Sequence, residues 1–189
     1  MQISIRPFSD MPCAAWQGGK TFELAIGPEG TSYAERNFGF RISSATVDAD
    51  ASVFTSLPDY DRCLMPLSAS LQLFHGDGAP IRLAPFQTHF FDGGRETRSV
   101  GRAQDFNLML RKGVWHGDMQ AHRFAAGEQI CLPALCAGAV RVVYLYRGSA
   151  GLEGCGLLAE GDVVQADARM LSFTGESRGV LVEAWAARC

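Results

Sequence analysis

Two short stretches of the chain set polar side chains two positions apart in apolar surroundings. In Phe40-Arg41-Ile42-Ser43, an extended backbone puts Arg41 and Ser43 on one face and Phe40 and Ile42 on the other. In Asp105-Phe106-Asn107-Leu108-Met109-Leu110 the same alternation pairs Asp105 with Asn107. Such pairs form either the solvated face of a sheet or the wall of a polar pocket. In a pocket, an arginine fork binds a carboxylate bidentately, and serine and asparagine add hydrogen bonds. A third stretch, Leu57-Pro58-Asp59-Tyr60-Asp61-Arg62, reads as a turn feeding the strand Cys63-Leu64-Met65. There Arg62 has a plain structural use, a salt bridge to Asp59 or Asp61. A fourth, Trp16-Gln17-Gly18-Gly19-Lys20-Thr21, joins an aromatic to a glycine pair that permits close backbone approach.

Other chemistries lack their residues. The chain has no P-loop, no Gly-x-Gly-x-x-Gly after a strand, no Gly-x-Ser-x-Gly elbow and no His-Glu-x-x-His. His75, His89, His116 and His122 form no His-x-His pair, the usual way a small barrel offers two imidazoles from one face. The expectation is no metal, no cofactor and no nucleophile–base pair.

The elements that must position these residues are strands. Apolar runs or alternations occupy 22–26, 38–47, 71–74, 88–91, 106–110, 119–124, 140–146, 163–165, 170–173 and 180–185, with glycine-rich punctuation between them. Gln2–Arg6 alternates as well. Asp10–Trp16 and Phe54–Cys63 leave room for a short helical turn. The expectation is an all-β sandwich, jelly roll or small barrel with little helix. One domain is expected over 1–189, with a step near 127–138 that divides two β-halves. A faint repeat relates Leu71-Gln72-Leu73-Phe74-His75 to Val142-Val143-Tyr144-Leu145-Tyr146, each running into a glycine turn.

Composition bounds the function. The 189 residues are 47% hydrophobic and 20% charged, globular values that exclude global disorder. A formal charge of −3 argues against a nucleic-acid partner. The longest apolar stretch, 140–146, contains Arg141 and falls far short of a membrane span. Arg6 and Asp10 stand where a signal peptide is apolar, so the expected location is cytoplasmic. The six cysteines read as reduced thiols, several of them core fillers.

Taken in chain order, these pieces resemble the HutD/Ves family, small bacterial double-cupin proteins. Trp16…Gly18-Gly19…Thr21-x-Glu23, Phe40-Arg41-Ile42-Ser43, Phe54-x-x-Leu57-Pro58-x-Tyr60-Asp61-Arg62, Asp105-Phe106-Asn107-x-Met109 and Gly161-Asp162 match its segments over about residues 10 to 167. The opening is one residue shorter than the family pattern, with Gln17 and no asparagine before its glycines, and Asp59 replaces a common glycine. The resemblance implies a bicupin fold, a link to histidine utilisation, and a ligand pocket formed by Trp16, Thr21, Arg41, Ser43, Arg62, Asp105 and Asn107. The function expected is metal-independent binding of a small carboxylate or other anion in a regulatory role. The alternative is a cupin enzyme (isomerase, lyase or amide hydrolase) with Asp105 as general base. A third reading is a structural or partner-binding β protein, with Trp115 and Trp185 as interface anchors and a homodimer as one form of it.

Overall fold

The computed structural model describes residues 3–189; Gln2, and with it the start of the first alternating stretch, lies outside them. The described residues form nineteen strands: β1 (Ser4–Pro7), β2 (Cys13–Trp16), β3 (Gly19–Gly27), β4 (Phe40–Val47), β5 (Ala51–Val53), β6 (Tyr60–Pro66), β7 (Leu71–His75), β8 (Ile81–Leu83), β9 (His89–Asp92), β10 (Thr97–Val100), β11 (Ala103–Arg111), β12 (Trp115–Phe124), β13 (Gln129–Leu132), β14 (Val140–Arg147), β15 (Ala150–Leu152), β16 (Gly156–Leu158), β17 (Asp162–Ala166), β18 (Leu171–Gly175) and β19 (Gly179–Arg188). Among the described residues the helical content is one 3-10 turn, Phe8–Asp10. No helix is long and apolar enough to cross a membrane.

The strands group into two compact units. One comprises Pro12–Asp118 with Cys189; the other comprises residues 3–11 and Met119–Arg188. The segment 127–138 lies inside the latter and contains β13.

Each unit is a sandwich of a larger and a smaller antiparallel sheet, and the two follow one plan. In the first unit the larger sheet has the order β2-β3-β4-β11-β6-β9 and the smaller β5-β10-β7-β8. In the second the orders are β1-β17-β14-β19-β12 and β13-β18-β15-β16. Adding eight to each strand number turns β4-β11-β6-β9 into β12-β19-β14-β17, and β5-β10-β7-β8 into β13-β18-β15-β16. The eight-stranded jelly roll is therefore present twice. This corrects the faint repeat: β7 corresponds to β15, not to β14. The sequence similarity was out by one strand because any buried central strand reads as the same apolar run.

Leucines and phenylalanines join the two sheets of each unit. In the second unit Phe124, Val143, Leu145, Leu152, Phe173 and Leu181 belong to one buried cluster drawn from both sheets. In the first, Leu64 of β6 packs with Leu71 and Leu73 of β7.

Neither expected helical turn forms. Cys13–Trp16 pairs with Gly19–Phe22 in a hairpin, and its exposed residues gave no apolar period to read. Pro58 closes a turn, Tyr60 N–H to Leu57 carbonyl, and β6 begins at once. The cysteines also need correction. All six are free, but Cys63 alone is buried, with its thiol pushed up to about 12 by burial; the other five are exposed and fill no core.

Candidate functional site

A register of facing residues builds one wall of a cavity in the first unit. Antiparallel pairing sets Asp105 opposite Ala45 and Asn107 opposite Ser43, and sets Met109 between Arg41 and Arg62 on its two sides. On the outer side of β4, Thr21 faces Ala45 and Glu23 faces Ser43. Residues opposite one another share a face. Arg41, Ser43, Arg62, Asp105, Asn107 and Thr21 therefore all point the same way, while Ile42, Phe106 and Leu108 fill the opposite side. The face borders a cavity of about 370 Å³.

All seven residues singled out from the sequence line it: Trp16, Thr21, Arg41, Ser43, Arg62, Asp105 and Asn107. Arg41, Ser43, Arg62, Asp105 and Asn107 are buried. The solvated-face alternative therefore does not hold for the β4 and β11 pairs. Trp16 stands half-exposed at the rim, its ring lying over Gly18 so closely that a Cβ there would come within 2.1 Å of it. Gly19 lies against Thr46, where a Cβ would meet the carbonyl oxygen at 1.8 Å. The glycine pair thus serves close approach, as its composition indicated.

The charged groups are unequally committed. Arg41 donates from Nε to Glu23 Oε2 at 2.7 Å and from Nη1 to Ser43 Oγ at 3.4 Å, with its guanidinium carbon 4.4 Å from the Tyr33 ring centre. A fork using Nε of Arg41 is therefore already taken by Glu23. Arg62 makes one hydrogen bond, Nη1 to the Thr55 carbonyl at 3.4 Å, and lies over Phe54 and Phe91. It forms no ion pair with Asp59 or Asp61. Burial lowers its pKa to about 10, still far above neutrality, with Tyr33 and Asp105 opposing the fall. Asp105 accepts at Oδ1 from Asn107 Nδ2 at 2.5 Å and from the Ala45 N–H at 3.2 Å. Burial nevertheless raises its pKa to about 7, against the lowering effect of those two donors and Arg62.

Three contributors escaped the sequence reading as site residues. Glu23 had a readable signal, the Thr21-x-Glu23 alternation and the need of a buried Arg41 for a counter-ion. Phe54 stood in a quoted motif without a role. Tyr33 had no signal at all, since it comes from the irregular segment 28–39. That segment is held by Tyr60, whose hydroxyl donates toward the Arg36 and Phe38 carbonyls at 2.7 and 2.9 Å, and by Arg111.

A second polar cluster lies on the same face of the larger sheet, outside the cavity lining and separated from Arg62 by the Phe91 ring, which packs against both Arg62 and His75. His75 of β7 and His89 of β9 bring their Nε2 atoms to 3.0 Å, and His75 Nδ1 lies 2.9 Å from Thr97 Oγ1. Burial leads the causes that lower both pKa values, with Arg95 adding to it. In the other unit, buried Glu183 sits between Arg141 (Oε1 to Nε, 2.7 Å, off the N–H direction) and His122 (Oε2 to Nε2, 3.1 Å).

Two tandem jelly rolls, one holding a polar cavity, define a double-cupin protein. The chain belongs to the HutD family, whose model matches residues 8–182. Among solved structures it is similar to the conserved protein of unknown function PA5104 from Pseudomonas aeruginosa PAO1, at 23% identity over 98% of this chain and 99% of that one, with a TM-score of 0.79. It is similar to HutD from Pseudomonas fluorescens SBW25 (formate condition), at 23% identity over the whole of both chains, TM-score 0.76. The bacterial pirin YhhW of Escherichia coli, solved in complex with nickel(II), shares the fold at 11% identity over 99% of each chain, TM-score 0.69. No curated protein matches the sequence. The wall of this cavity is a poor home for a metal, because two guanidinium groups border it and one carboxylate is its main acidic donor.

Proposed function

We propose that the chain is a small-molecule binding protein whose first cupin unit captures a small carboxylate or related anion, and that it acts as a sensor in regulation linked to histidine breakdown. The observation that carries this is Arg62: a buried cation with one long hydrogen bond, on the wall of a cavity. Such a group is left costly until a ligand supplies acceptors. Family membership supports the histidine link, and the formate condition of the Pseudomonas fluorescens HutD structure supports a small carboxylate as the ligand class. A volume of about 370 Å³ is at the lower end for ligand sites and exceeds what one formate fills. The anionic group would take Arg62 and the outer nitrogens of Arg41, with Thr21 and Trp16 meeting the remainder.

The test is calorimetry of formate, urocanate, glutamate and formylglutamate against the wild type and Arg62→Met. Saturable binding of at least one, lost in the variant, supports the reading; no binding across the panel overturns it.

A second reading, a cupin enzyme on the same cavity, rests on Asp105. A carboxyl with a pKa near 7 is suited to proton transfer at neutral pH. Turnover of a bound compound that disappears in Asp105→Asn would select this reading over simple binding.

A further inference from the structure

The two-histidine cluster carries an inference independent of the cavity. Thr97 Oγ1 donates its one proton to the Arg95 carbonyl at 3.0 Å. It must therefore accept from His75, which fixes the neutral ring as the Nδ1–H tautomer and leaves the lone pair on Nε2. That lone pair faces His89 Nε2. A hydrogen-bonded Nδ1–H with a free Nε2 is how proteins orient an imidazole for a metal. His75 comes from the smaller sheet and His89 from the larger, so the pair is held by both layers of the sandwich.

We infer that His75 and His89 form a two-imidazole site for a divalent first-row transition ion. Two metal–nitrogen bonds of about 2.1 Å spanning the 3.0 Å between the Nε2 atoms enclose an angle of about 90°. That angle suits nickel(II) or copper(II); zinc's tetrahedral angle needs the rings to separate by about 0.4 Å more. Binding takes a swivel of each ring onto the ion and a shift of the His89 proton from Nε2 to Nδ1. No third histidine, cysteine, aspartate or glutamate stands with the pair among the described residues, so water fills the other positions. The half-buried His89 ring gives water and ion their entry.

The probe is nickel(II) chloride, titrated calorimetrically into the full chain after its exposed thiols are alkylated. The expected result is one equivalent bound, weakened at least tenfold in His89→Gln and unchanged in His116→Gln. Thr97→Val, which removes the group orienting His75, should weaken binding about 10- to 100-fold while leaving both ligands in place. His89→Gln changes a half-buried side chain, so a folding failure in His75→Gln would not obscure the outcome. Absence of saturable binding, or binding indifferent to His89→Gln, overturns the site and leaves the pair a stitch between sheets.

Discussion

Glu23 and Arg41 meet across the β3–β4 pair at 2.7 Å, and neither is the residue opposite the other in the register. Glu23 faces Ser43, and Arg41 faces Ile26. The ion pair is a diagonal contact made next to the bulge at Leu24. Because the Arg41 side chain is only 8% exposed and that of Glu23 26%, the pair is screened by protein more than by water. Removing the carboxylate leaves a buried cation without its counter-ion. Glu23→Gln should destabilise the protein by about 1–3 kcal/mol, measured by urea unfolding, and a double-mutant cycle with Arg41→Met should return a favourable coupling.

Arg62 should behave in the opposite way. Its guanidinium is desolvated yet scarcely hydrogen-bonded. Arg62→Met keeps the packing against Phe54 and Phe91 and removes the buried charge. The expected result is a melting temperature equal to or above wild type, with anion affinity reduced by about a hundredfold, in line with the loss of a charge-assisted pair.

Asp105 makes stability fall as pH rises. Its folded pKa of about 7 lies above its ordinary 3.8, so the folded state binds the proton more tightly. The contribution is present below pH 4 and is lost as pH rises to 7 and beyond. The displacement, at about 1.4 kcal/mol per pH unit, is on the order of 4 kcal/mol. Asp105→Asn should abolish this slope between pH 5 and 8 in denaturant titrations. An anion prefers Asp105 protonated, so anion affinity should rise as pH falls from 8 to 6, and this dependence too should vanish in Asp105→Asn.

The rim is open to a spectroscopic test. A Cβ at residue 18 collides with the Trp16 ring. Gly18→Ala should therefore change the tryptophan emission and weaken ligand binding, while thermal stability moves little because the hairpin is exposed.

In the second unit, Glu183 is wedged between Arg141 and His122 with its side chain 8% exposed. Glu183→Ala should cost about 3–5 kcal/mol in urea unfolding, because it strands a fully buried guanidinium.

The all-β class and the polar alternation of β4 and β11 were legible because a polar cavity wall on one face and an apolar core on the other write themselves into a period of two, and the family was legible in the order of its motifs. So was the place of Arg41, Ser43, Asp105 and Asn107 on common faces. Short strands such as β5, β8 and β16 were not, since three residues hold too little pattern. Arg62 was ambiguous from spacing alone: Asp59 and Asp61 offered nearer partners, and only the register of β6 against β11 turns it inward. Tyr33 and the His75–His89 contact depend on chain segments meeting from afar, which local pattern does not encode. The duplication was visible in strand order and nearly invisible in residues.

β3 carries one extra residue, Leu24, between Glu23 and Ala25, which face the consecutive residues Ser43 and Ile42 of β4. Before it, odd-numbered residues of β3 face the cavity; after it, Ile26 does, beside Arg41. The strand thus changes hands midway. Leu24 is therefore the residue of β3 whose loss leaves every cross-strand pair in place, because Glu23 opposite Ser43 and Ala25 opposite Ile42 already alternate without it. A one-codon loss in this part of a gene can thus be absorbed at the hairpin tip, Gln17-Gly18, or at the bulge itself, while an inserted residue elsewhere in the strand exchanges inside for outside along one flank.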